Sequence, residues 1–190
     1  DSIPMDTAAE ISQMIEKSRE LERSGEIAGS LRLATQAREL AQAQSNADLE
    51  ALALNVITYA HIRLGHYEQA KQYCQKVLEL AGDESPARVD ALLNLGICAG
   101  ETDNLDVLYT FTQQAVDLSH QIGYDRALVR GLHSLACTVY VPRGQFDLAL
   151  AVDSEALHIA QMRGLAELTW GPLTTMSYAH WLQGQPALAL

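Results

Sequence analysis

Three cysteines and six histidines are the side chains in this 190-residue sequence with the most reactive chemistry to offer. Covalent catalysis needs a nucleophile held beside an orienting base. Cys98 and Cys137 can be paired with histidines on paper, but no local motif supports any pairing. Cys74, Cys98 and Cys137 lie far apart with no Cys-x-x-Cys pair, so they indicate neither a disulfide framework nor a zinc site. Buried thiols in a reducing compartment are the plain expectation. A metal needs three or four converging ligands, and His61 and His66 are five positions apart, a spacing that does not put both on one helix face. Gly-rich phosphate loops are absent. The expectation is a chain that is not an enzyme and needs no metal and no cofactor.

The elements that position these residues repeat. Turn residues fall at Gly25, Gly65, Asn104, Gly144 and Gly184, spaced by 40, 39, 40 and 40 positions. Each is followed within two positions by an apolar or ring residue: Ile27, Tyr67, Leu105, Phe146 and Pro186. Asn takes left-handed backbone angles more cheaply than other non-glycine residues, so Asn104 is read as standing in a glycine's place. Downstream, Ser30, Ala70, Leu108, Ala149 and Ala189 recur in register, then Ala37, Val77, Ala115 and Ala156, with one residue deleted in the third unit. These offsets share one face of a helix. A second ladder, Gly82, Gly123 and Gly164, is expected to end these helices in left-handed conformations.

Upstream of each turn runs another apolar stripe, for example Ala53, Val56, Ile57 and Ala60, then Leu92, Leu95, Gly96 and Ala99, then Leu132, Leu135, Ala136 and Val139. The small residue in each lets a neighbouring helix approach closely. Ser85-Pro86 supplies a hydroxyl cap before a proline at a helix start, and Asp125 can cap the helix after it. The run Thr138 to Val141 has strand propensity locally, but its neighbours hold it in a helical register. Pro142 should end one helix early, and Pro172 should delay or kink another.

The sequence therefore predicts an all-α chain: a right-handed superhelical solenoid of antiparallel helix pairs, about four and a half repeats long. The pairs are expected at 7–46, 47–86, 87–124, 125–165 and a truncated 166–190, forming one array. The non-Met start and the short fifth pair read as a piece of a larger protein, with Leu188 and Leu190 left to pack on something further.

Charge excludes other roles. The formal net charge is −11, with a sequence pI near 4.8. Docking on a nucleic-acid backbone needs clustered Lys and Arg, so direct DNA or RNA binding is not expected. Hydrophobic residues make up 48% and charged residues 19%, enough to build a core and too few charges for a disordered acidic chain. There is no apolar run long enough for a membrane span and no secretion-signal pattern at the start, so a cytoplasmic chain is expected.

Leu92, Leu95-Gly96 and Ala99, followed by turns such as Gly65-His66-Tyr67-Glu68-Gln69-Ala70 and Gly144-Gln145-Phe146-Asp147-Leu148-Ala149, resemble tetratricopeptide repeats (TPR) over nearly the whole chain. The period near 40 exceeds that family's usual spacing. This variant is similar to the repeats of maltose-regulator-type bacterial transcription activators, related signalling ATPases, quorum-peptide receptors and kinesin light chains. The first pair departs from the pattern: it lacks the Leu-Gly pair, and Ile11, Met14 and Ile15 sit out of register, as in an end cap.

The resemblance implies a concave groove lined by the first helix of each pair, holding an extended peptide or a partner helix. Carried over by register, Asn55, Asn94, Ser134 and Thr174 form one row. His61, Gly100, Tyr140 and His180 form a second, and Ala51, Asp90, Arg130 and Trp170 a third, with Leu54, Leu93, His133 and Leu173 between. The amides of Asn55 and Asn94 offer both donor and acceptor to successive peptide units. Of the family's carboxylate clamp only Arg130 and His133 are basic here, with Asp90 of the wrong sign, so a carboxylate-tail ligand is not expected. The resemblance implies a scaffold or sensor module, the regulatory part of a larger protein, with a protein or peptide partner. Two other readings stand beside it. One is a small-molecule effector site lined by Trp170, Trp181, Tyr140 and the histidines; the other is self-assembly through exposed terminal helices.

Overall fold

The computed structural model describes residues 7–102, 104–185 and 188. The described residues form helices throughout, with no strand among them. In order these are α1 (Thr7–Arg23), α2 (Ile27–Ala43), α3 (Ala47–Arg63), α4 (Tyr67–Leu80), α5 (Pro86–Gly100), α6 (Leu105–Ile122), α7 (Asp125–Ser134), α8 (Phe146–Met162) and α9 (Trp170–Leu182). α7 continues as a wider π-helical turn, Leu135–Tyr140, and a 3-10 turn, Ala166–Leu168, precedes α9. α2, α4, α6 and α8 end at Ala43, Leu80, Ile122 and Met162. Pro186, Ala189 and Leu190 lie outside the described residues.

The chain divides into two compact units, Asp1–Glu101 and Thr102–Leu190, and the division falls inside the third expected pair. In the first unit, α1 packs on α2, α2 on α3, α3 on α4 and α4 on α5, and α3 also meets α5. Its core is built from small residues, Ala34, Ala37, Ala41, Ala51, Ala53 and Ala91, around larger Ile11, Leu54, Ile57 and Val77. Alanine costs no side-chain entropy and lets helix backbones approach, which suits antiparallel neighbours. In the second unit, α6 packs on α7, α7 on α8 and α8 on α9. Leu108, Ala115, Leu128, Leu132, Leu135, Val139, Ala149, Ala156 and Ala160 are buried there.

Helix ends follow capping chemistry. Ser85 accepts a hydrogen bond from the Arg88 amide at 3.2 Å with Pro86 at the first helical position. Asn104 differs from its sequence reading: its φ is −105°, and its side chain accepts from the Val107 amide at 3.2 Å, capping α6. It therefore takes the place of His66 before α4 and Gln145 before α8, not that of Gly65. Gly123 and Gly164 adopt left-handed angles, with φ of +70° and +69°. Gly82 does not, because α4 closes on Ala81 in an extended conformation. Asp125 is the first residue of α7 rather than its cap, and pairs with Arg163 at 2.7 Å. Pro142 follows the last helical turn by two residues and Pro172 lies in the first turn of α9, where a proline costs no intrahelical hydrogen bond.

The Thr138 to Val141 region stays helical but winds wider, with the Val141 amide donating to the Ala136 carbonyl five residues back at 3.0 Å. The Ser134 carbonyl in this stretch accepts the Thr138 hydroxyl at 2.6 Å and the Cys137 thiol at 3.8 Å. Such π-helical turns interrupt α-helices mainly where side chains must be re-aimed.

Candidate binding face

In the first unit Asn55 is tied up internally. Asn55 Nδ2 donates to the Ala87 carbonyl at 2.8 Å, tying α3 to the first turn of α5. Asn55 Oδ1 is buried without a partner among the described residues, and Asn94 is buried on α5. Farther along α3, Tyr59 and Ile62 pack in one cluster with Cys98 of α5. This side of α3 is thus the side on which the next helix sits.

His61 clasps its own turn. Its Nδ1 lies 3.4 Å from Nδ1 of His66, and its ring stacks on Tyr73 with centroids 5.3 Å apart. Burial, and then the facing His66, lower its pKa. His180 repeats the arrangement in the second unit, with Nδ1 3.2 Å from Oε1 of Gln185, again five residues on and across the glycine turn. His61 thus braces the end of α3 against the residue that caps α4, and His180 braces the end of α9 against its following turn.

The second unit gathers the other predicted residues. Arg130, His133 and Ser134 on α7, and Cys137 and Tyr140 on its π-helical extension, are half-buried and share one solvent-facing strip. α9 runs Trp170, Leu173, Thr174 and His180 along its own open side, with Trp170 75% exposed and Thr174 also exposed. The Thr174 hydroxyl donates back to the Gly171 carbonyl at 2.8 Å. Tyr140 reaches Tyr109 of α6; burial first, then Tyr109, raise its phenol pKa.

His133 is the fixed point of this face. Its Nδ1 lies 3.1 Å from Oδ1 of Asp153 on α8; Asp153 is fully buried, and its Oδ2 has no partner among the described residues. Burial opposes charge on the imidazole, but hydrogen bonds to Asp153 and Cys137 and the Asp153 charge outweigh it, pushing His133 up to about 10. Burial raises Asp153 as well, against the pull of His133. The buried Asp153 carboxyl thus favours the protonated imidazole. Gly171 of α9 lies over the ring: a Cβ there would meet His133 Nε2 at 2.6 Å. His133 thus joins three helices, α7, α8 and α9. Neither Asp153 nor Gly171 stands out as a site residue in the sequence. The available signal was Asp153 itself, one acid within the otherwise apolar stripe Ala149, Ala156 and Ala160.

No protein-family model and no curated protein sequence matches this chain. Solved structures do. BtubC (BKLC) from P. vanneervenii superposes with a TM-score of 0.70 at 15% identity, covering 100% of this chain and 87% of its own. A kinesin light chain-type protein of Podosopora anserina with nearly identical TPR-like repeats gives 0.65 at 15% identity, covering 97% and 92%. MamA protein gives 0.56 at 16% identity, covering 97% and 86%. The fold of this chain is TPR-like. At these identities the likeness concerns the fold and carries no residue roles. TPR-like folds commonly serve as protein-interaction scaffolds, and among the described residues no helix is long and apolar enough to cross a membrane.

Proposed function

We propose that this chain is a protein- or peptide-binding module whose contact surface is the open face of the second unit, formed by α7 with its π-helical extension and by α9. The observation that carries the reading is the pairing of an exposed anchor with a fixed base. Trp170 stands 75% exposed at the start of α9, next to Gly171, which lies over the His133 ring, and the His133–Asp153 pair ties α7 to α8. Binding energy at protein surfaces concentrates in a few aromatic and arginine anchors, and a face preformed on helices spends little on ordering. Asn55 and Asn94, being buried, contribute on this reading by aligning helices rather than by touching the ligand. By likeness to the long repeats of maltose-regulator-type activators, such a module fits the regulatory part of a larger cytoplasmic protein.

The test is selection of binders from a displayed peptide library on the 190-residue chain, followed by titration calorimetry of the best peptide. The expected result is a micromolar complex that weakens about tenfold or more in Trp170→Ala, a hot-spot loss of at least about 1.4 kcal/mol. Equal affinity of Trp170→Ala and of Arg130→Ala for that peptide would overturn the reading.

A further inference from the structure

His133 and Asp153 do more than clasp two helices, because a thiol completes the cluster. Cys137 stands four residues after His133 on the same side of the helix, and the imidazole that bonds Asp153 also hydrogen-bonds Cys137. Carboxyl, imidazole and thiol thus stand in series, a nucleophile beside a base that a third group orients. Cys137 lies within the π-helical turn, where its thiol donates to the Ser134 carbonyl at 3.8 Å and the Thr138 hydroxyl shares that acceptor at 2.6 Å.

The three thiols differ in kind. Cys74 and Cys98 are buried, and burial above all pushes them up to about 12 and about 11, which keeps them protonated and inert. Cys137 is half-buried and sits beside an imidazole whose protonated form Asp153 favours. A neighbouring cation and an open approach are what make a cysteine nucleophilic. Asp153 points the same way. It is fully buried in an apolar stripe, and its Oδ2 has no partner among the described residues. Helix packing alone is better served there by another alanine, since a buried carboxyl is costly. Holding charge on the imidazole that faces the sulfur accounts for it.

We propose that Cys137 is a modification site, a thiol that exchanges with small disulfides of the glutathione class, with His133 as its charge partner and Asp153 as the positioning residue. The thiol gives its proton to water, the sulfur attacks one sulfur of the disulfide, that sulfur–sulfur bond breaks, and the expelled thiolate takes up a proton. One disulfide replaces another, no oxidant is consumed, and the site is used once rather than turned over.

The test is incubation of the 190-residue chain with oxidised glutathione at about pH 6, where an ordinary thiol is less than about one per cent ionised, followed by mass spectrometry of tryptic peptides. The peptide Gly131–Arg143 carries Cys137 and no other cysteine. Cys137 is expected to label about fivefold or more faster in the folded chain than in the same chain unfolded in urea, a gain limited because a stabilised thiolate is also a weaker nucleophile. Cys74 and Cys98 should label more slowly folded than unfolded. His133→Gln, which keeps an amide to bond Asp153, should lose the Cys137 gain while Cys74 and Cys98 stay protected, the sign that the chain is still folded. Cys137 labelling no faster in the folded chain than in urea, or an undiminished gain in folded His133→Gln, would overturn the proposal. The first comparison needs no variant, so it decides the matter even where His133→Gln does not fold.

Discussion

A single methyl group on Gly171 would land 2.6 Å from Nε2 of His133, and His133 cannot swing aside without breaking its 3.1 Å bond to buried Asp153. Gly171→Ala is therefore expected to destabilise the second unit by about 2 kcal/mol, as overpacking does. In urea denaturation, much of that cost should vanish when it is combined with His133→Ala, because the ring is the obstacle. Additive losses would show that the glycine is needed for another reason. His133→Ala alone should cost about 3 kcal/mol, since it leaves a buried carboxylate without its partner.

The same pair sets a pH dependence. A histidine raised from 6.5 to about 10 stabilises the folded state fully below its ordinary value, and that contribution drains away as the pH climbs toward the folded-state value. The raised Asp153 acts in the same direction, because the folded state keeps its proton longer than the unfolded chain does. From the His133 shift, thermal melts should show stability falling between about pH 6.5 and 10. In Asp153→Asn the slope should flatten. A wild-type stability that rises over this range would contradict the assignment.

Among the helices, the asparagine row shows where reading the repeat falls short. Periodicity puts Asn55 and Asn94 in one register, but the local pattern does not say what that side meets; Asn55 donates to Ala87 across 32 positions. Asn55→Ala should accordingly lower the melting stability of the first unit by about 1 kcal/mol, the net worth of a buried hydrogen bond. Affinity for a selected peptide should be unchanged. Lost affinity at full stability would restore Asn55 to the ligand-contacting face. Asn104 missed its expected conformation for a local reason: an Asn that precedes a helix gains more by accepting the Val107 amide than by taking left-handed angles. The helix pairs were legible because each stripe is local, and Ser85-Pro86 fixed the start of α5 outright.

At the scale of the whole molecule, the all-helical architecture follows from the alternation of alanine-rich stripes with glycine turns. The division between Glu101 and Thr102 was not legible, since it cuts a pair whose stripes look like the others. The His133–Asp153 link was hidden for a related reason. Its partners sit 20 positions apart on different helices, and only packing brings them together.

The central claim, that the open face of α7 and α9 is the binding surface, is tested most directly by hydrogen–deuterium exchange of the chain with and without a saturating selected peptide. Protection is expected in Asp125–Tyr140 and in Trp170–Leu182, with α1 and α2 unchanged. Protection confined to α1 and α2, or none in α7 and α9 at saturation, would contradict it.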